Sequence, residues 1–276
     1  MYAHQIIASL EEIGRANDDL NITSSMLVSE IKHCHQFYLE ITDPLVDLLN
    51  KGIGEQILFD GKNLPYKHTL LCESAAPHSG GSQAIKAAIL MTQEKKDSPI
   101  EMIFFTYHNN ESLWTFTPLR FVAKDGGFEF TPLGEFGELW LNEAKKEYGD
   151  YERFVEEENY SEIVTALLFL DLLECKNIVT ENILPPAKLN KKRQKKGKQP
   201  LLSYKTLVIK PTGKQQKSIP KHLWENRVHL CRGHFKTYTA DAPLFGKYTG
   251  RYWWQPSVRG RNKKGVVVKD YHVEAS

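Results

Sequence analysis

The sequence predicts an α+β protein: N-terminal helices and an antiparallel sheet with a central buried helix, followed by a small C-terminal SH3-like or partly open β-barrel unit. Three observations predict it. Apolar residues recur at helical spacing near the N-terminus, and segments rich in β-branched and aromatic residues fill 64–133. A nearly continuous apolar helix, "YSEIVTALLFLDLLECKN", then covers 160–177.

In chain order, "TSSMLVSEIKHCHQFYLEI" reads as a helix. Thr23 or Ser24 is its cap, and Leu27, Ile31, Cys34 and Tyr38 lie three or four apart. His33 and His35 point about 200° apart on such a helix, so they share no metal ion. "TDPLVDLLNKG" reads as a short helix capped by Asp43, with Pro44 in its first turn and Gly52 at its end.

"KHTLLCE", "IEMIFFTYH", "SLWTFTPLRFVA" and "GFEFTP" read as strands, with a hairpin turn at "KDGG" (124–127). The insert "APHSGGSQAIKAAILMTQEKKDSP" reads as a Gly/Ser turn and a short amphipathic helix. Its "SGGS" lacks the spacing and the following Lys-Ser/Thr of a phosphate loop. Residues 135–175 return to helix, with Ser161 as the cap of the buried one, and "NIVTENI" reads as a strand. Candidate C-terminal strands are 202–209, 227–238, 250–258 and 265–273.

The formal charge of +2 conceals a division at Pro185. Residues 1–185 carry 14 Lys+Arg against 30 Asp+Glu, a balance of −16. Residues 186–276 carry 22 against 4, a balance of +18. The chain therefore divides into an acidic α+β region, 1–185, and a basic β unit, 186–276. Asymmetry of this size points to a polyanion partner for the basic part, RNA or DNA first. The pivot is "KLNKKRQKKGK", where Lys191, Lys192, Arg193, Lys195, Lys196 and Lys198 crowd a short helix that Gly197 would end. Such a run repels itself and is quietest against phosphates.

The stretch "HLCRGHFKTY" (229–238) carries the densest chemistry. In a regular strand Arg232, His234, Lys236 and Tyr238 share one face, and His229 and Cys231 take the other, unless Gly233 makes a bulge. Three readings compete. His229, Cys231 and His234, with His222, are zinc-ligand types, yet no second ligand pair stands at finger spacing. Alternatively, His234 moves a proton, Arg232 and Lys236 stabilise a pentavalent phosphate and Tyr238 donates or stacks, which suffices for metal-independent RNA cleavage. The favoured reading is binding without chemistry. Arg232, Lys236, Lys247, Arg251, Arg259 and Arg261 alternate with Phe235, Tyr238, Phe245, Tyr248, Tyr252, Trp253 and Trp254, as phosphate tracking and base stacking require. No metal or cofactor is called for.

His229, Arg232, Gly233, His234, Phe235 and Lys236, followed by Trp253 and Trp254, fit an H-x-x-R-G-H-[FW]-[KR] signature with a downstream aromatic strand. Over roughly the last hundred residues the chain resembles a widespread family of uncharacterised phage and prophage proteins. The resemblance implies a viral or mobile-element origin and transfers no catalytic residue. It also raises the alternative of a non-enzymatic inhibitor of a host protein. No run of about 18 apolar residues is present, so no membrane partner is expected. The N-terminus lacks a signal-peptide pattern, and four scattered cysteines suit a reducing cytoplasm.

Overall fold

A computed structural model describes residues 2–39, 61–73, 86–108, 112–124, 127–210, 229–231, 233–254 and 257–259. The chain is α+β, with a large mixed sheet that is not closed into a barrel. Its helices are α1 (Ala3–Ala16), α2 (Asp18–His33), α3 (Gly134–Glu147), α4 (Tyr151–Glu158), α5 (Tyr160–Leu173) and α6 (Ala187–Lys195). The large sheet contains β1 (His35–Leu39), β2 (His68–Glu73), β3 (Ala87–Thr92), β4 (Glu101–His108), β5 (Leu113–Phe116), β6 (Leu119–Lys124), β7 (Gly127–Pro132), β8 (Ile178–Ile183) and β9 (Tyr204–Ile209). The strand order is β7-β6-β4-β3-β2-β1-β9-β8, with β5 also paired to β4. β1 runs parallel to both β2 and β9, and the other pairs are antiparallel, so the sheet is not the purely antiparallel one expected.

Alternation along the strands gives the sheet two apolar faces. Leu70, Cys72, Leu90, Ile103 and Phe105 meet α1 and α2 through Ile6, Leu10, Leu27 and Ile31. Phe37, Leu71, Ile89, Phe104 and Phe121 meet α5 through Ile163, Ala166, Leu167 and Leu170. The expected central helix is present: nine residues of α5 are buried, Ile163 to Leu170 and Leu172. Helix α3 approaches the sheet closely at Gly137, where a Cβ would stand 2.4 Å from the Pro118 carbonyl oxygen.

Several elements depart from their sequence reading. The cap of α2 is Asn17, which accepts from the Asp19 amide; Thr23 and Ser24 lie buried inside the helix. The helix stops at His33, and 35–39 is strand. Cys34 and Tyr38 are four apart, a spacing that fits a period of two as well as a helix. Residues 87–92 form β3 and not a helix, because both of its faces are covered: Ala87–Met91 are all buried, and the alternation that marks a half-exposed strand is missing. The segment expected as a helix at 43–52, the "SGGS" turn and the strand expected at 265–273 lie outside the described residues. The "KDGG" hairpin is bounded as expected, with Lys124 opposite Gly127.

The C-terminal strands differ most. The one expected at 202–209 is β9, inside the large sheet and hydrogen-bonded to β8, so this sheet crosses the 185/186 division. The others appear as β10 (His229–Cys231), β11 (His234–Tyr238), β12 (Gly250–Trp254) and β13 (Ser257–Arg259). They form two two-stranded ladders, β10–β13 and β11–β12.

Candidate polyanion interface

The basic tract is an ordered helix. α6 follows Pro185 and Pro186 and ends near Gly197, whose φ of +63 suits a glycine closing a helix. Two side chains fasten it. Asn190 donates to the Leu201 carbonyl (2.9 Å) and accepts from the Leu201 amide (2.8 Å). Arg193 donates through Nε to the Gln199 carbonyl (2.8 Å). Gln199 in turn donates to Glu11 on α1 (3.3 Å). Arg193 thus points part of its guanidinium inward, while Lys188, Lys191, Lys192, Lys195, Lys196 and Lys198 are exposed. None of these six forms an ion pair with an acidic side chain among the described residues.

The β11–β12 ladder has two different faces. Phe235 pairs with Trp253 across the ladder, their rings 4.8 Å apart, and Trp253 is buried in the same core as α5. Asn177 fixes this strand by donating to the Trp253 carbonyl (2.7 Å) and accepting from its amide (3.0 Å). Arg251 lies on this inner face, 4.4 Å from the Phe235 ring centre. Its guanidinium binds both carboxylate oxygens of Asp171 (2.9 and 3.1 Å) and reaches Glu174 at 3.4 Å. Lys62 completes the group at 2.6 Å from Asp171 and 2.9 Å from Glu174. Arg251, one of the cations expected to meet nucleic acid, clamps the hairpin to α5 through these two carboxylates. Sequence reasoning missed this network. The available signal was two carboxylates three residues apart at the C-terminal end of a largely apolar helix.

The opposite face presents His234, Lys236 and Tyr238. The Lys236 ammonium lies 4.8 Å from the Tyr238 ring centre, and Tyr238 meets Tyr252 edge-on at 5.7 Å. His234 and Lys236 are exposed. Lys247 sits 5.4 Å from the Tyr248 ring centre in a turn that also exposes Phe245. Arg232 and Arg261 lie outside the described residues. Arg259 stands opposite His229 in the β10–β13 ladder. His229 and Cys231 therefore belong to one ladder and His234 to another. Among the described residues, no group of three His, Cys, Asp or Glu side chains could hold a metal ion.

Two carboxylates of the acidic region have environments of their own. Glu101 accepts from Arg120 at 2.9 Å. Glu73 stands at the end of β2 near Glu162 and Thr165 of α5; burial pushes its carboxyl up to about 8, the Glu162 charge adds to the rise, and a hydrogen bond with Thr165 opposes it. At Cys34, Cys72 and Cys175 thiol chemistry is disfavoured. Burial pushes Cys34 and Cys72 up to about 12 and Cys175 up to about 11, so their nucleophilic thiolates are scarce near neutral pH.

The two basic sets do not form one patch. The hairpin meets β8 where Ile178 pairs with Ile209, through Asn177, whereas α6 follows the far end of β8, beyond Ile183. A six-residue strand separates these ends by roughly 17 Å.

Fold and site define an α/β/α-layered chain, built on an open mixed sheet, with a lysine helix at one rim and a cation–aromatic hairpin docked on one face. No protein-family model, curated protein or solved structure matches this chain. No helix among the described residues is long and apolar enough to cross a membrane.

Proposed function

We propose that this chain is a nucleic-acid-binding accessory protein, of phage or mobile-element origin and acting in the host cytoplasm. The origin rests on the 229–236 signature alone. In this reading the α6 lysines track phosphates. The two C-terminal ladders belong to an SH3-like or partly open β unit whose outer face, with Lys236 and Tyr238, adds a cation and a stacking ring. The observation that carries it is the anchored helix α6. Asn190 and Arg193 hold it in place, while Lys191, Lys192, Lys195, Lys196 and Lys198 stay exposed without an acidic partner among the described residues. Arranged charge of this kind neutralises phosphates at little cost in ordering.

The test is a binding titration of the full chain, wild type and with the five lysines changed to Gln, against labelled single- and double-stranded RNA and DNA. Wild type binds and the variant loses most of its affinity while keeping its circular dichroism. A wild type that binds none of the four, yet retains a host protein after nuclease treatment of a lysate, replaces this reading with the inhibitor. Cleavage of RNA in EDTA that His234→Ala abolishes replaces it with a ribonuclease.

A further inference from the structure

The sheet order places opposite charge at opposite rims. Helix α3 packs on β7, and α4 is held to the same strand by a hydrogen bond from the Phe128 backbone to Glu156. Residues 134–162 contain ten acidic against three basic side chains, a balance of −7. Residues 188–198, on and beside α6, contain seven basic side chains and no acidic one, a balance of +7. β7 and β8 are the two ends of the strand order, seven inter-strand steps apart. At the usual strand spacing this is roughly 34 Å from β7 to β8 along the sheet. Among the described residues no ion pair joins the two charged sets within one molecule.

Each rim also exposes apolar side chains. Leu139 is 65% exposed on α3, with Phe136 and Tyr160 also exposed at this rim. At the other rim Leu184 is 75% exposed, and Leu189 shares a side of α6 with Lys192 and Lys196. Some acidic groups already have partners, Glu143 with Lys146 and Glu157 with Arg153. Glu135, Glu138 and Glu158 are exposed and have no ion-pair partner among the described residues.

We infer that the chain associates head to tail with a second copy of itself, the lysine face of α6 with Leu184 and Leu189 seating against the acidic face of α3 and α4 with Phe136, Leu139 and Tyr160. The contact is heterologous, since one rim meets the other, so a bound pair keeps one unused rim of each sign and extends. The apolar side chains supply contact area, and the charges set orientation and salt sensitivity.

Sedimentation velocity on nuclease-treated, nucleic-acid-free full chain tests this. Wild type gains mass with concentration in low salt and returns to a single chain near 1 M salt, where the screening length is about 3 Å. Two variants make the test specific: Lys191, Lys192, Lys195, Lys196 and Lys198 changed to Gln at the basic rim, and Glu135→Lys, Glu138→Lys and Glu158→Lys at the acidic rim. Each variant alone remains a single chain. Mixed, they form a one-to-one pair and nothing larger, because only one complementary interface survives. A wild type that stays single at every concentration in low salt, variants that assemble alone, or a mixture that does not pair each overturns the proposal. The acidic-rim variant keeps every α6 lysine, so loss of self-association and loss of nucleic-acid binding are read separately.

Discussion

Arg251 shows how a residue's neighbours decide its role. As one of a series of cations among aromatics it reads as a phosphate contact; in the fold it is the hairpin's anchor to Asp171 and Glu174. Arg251→Gln should therefore lower stability by about 2 kcal/mol in urea unfolding, since it leaves half-buried carboxylates with only Lys62. The salt slope of nucleic-acid binding should stay unchanged; a shallower slope with unchanged stability would return Arg251 to the interface. Glu73 gives a second residue-scale prediction. Its folded carboxyl titrates near 8, against about 4.3 when unfolded. Between those values the folded chain holds a proton that the unfolded chain has lost, so stability falls as pH rises through that window and levels off above it. Glu73→Gln should flatten this decline, with a gain over wild type on the order of a few kcal/mol above about pH 8. Parallel pH profiles for the two proteins would show that the carboxyl is not raised. Neither environment was legible in the sequence. Both depend on which helix residue faces which strand end, and no spacing rule supplies that.

At the scale of elements, α5, β2, β4, β6, β7, β8 and α6 were legible because each carries its own signal: a run, an alternation or a charge block. β3 was not. A strand buried on both faces loses its period of two, and "AAILMT" is built mainly of good helix formers. The division at Pro185 follows composition, while β9 follows hydrogen bonding and joins the large sheet. Helix α6 makes the element-scale prediction. Changing Lys191, Lys192, Lys195, Lys196 and Lys198 to Gln should leave the unfolding midpoint nearly unchanged, because all five are exposed. If all five contact phosphates on duplex DNA, the slope of log affinity against log salt should become shallower by about 4. A variant with wild-type affinity and slope would make the tract a solvated face.

For the whole molecule, the charge asymmetry was legible from counting, but its layout was not. The sequence suggests one basic half. The fold places the lysine helix and the cation–aromatic hairpin at opposite ends of β8, and packs the acidic helix α3 on β7 at the other end of the strand order. A bound strand that touches both basic sets must bridge roughly 17 Å, which several nucleotides of single strand can span. The central claim is that this layout binds a polyanion through released counterions. The most direct measurement is the equilibrium affinity of the full wild-type chain for a labelled nucleic acid as salt is raised. With five or more phosphate contacts on duplex DNA, affinity should fall by roughly two to three orders of magnitude between about 50 mM and about 200 mM salt, linearly on logarithmic axes. Absence of binding at the low end, or an affinity that stays flat across that range, would contradict it.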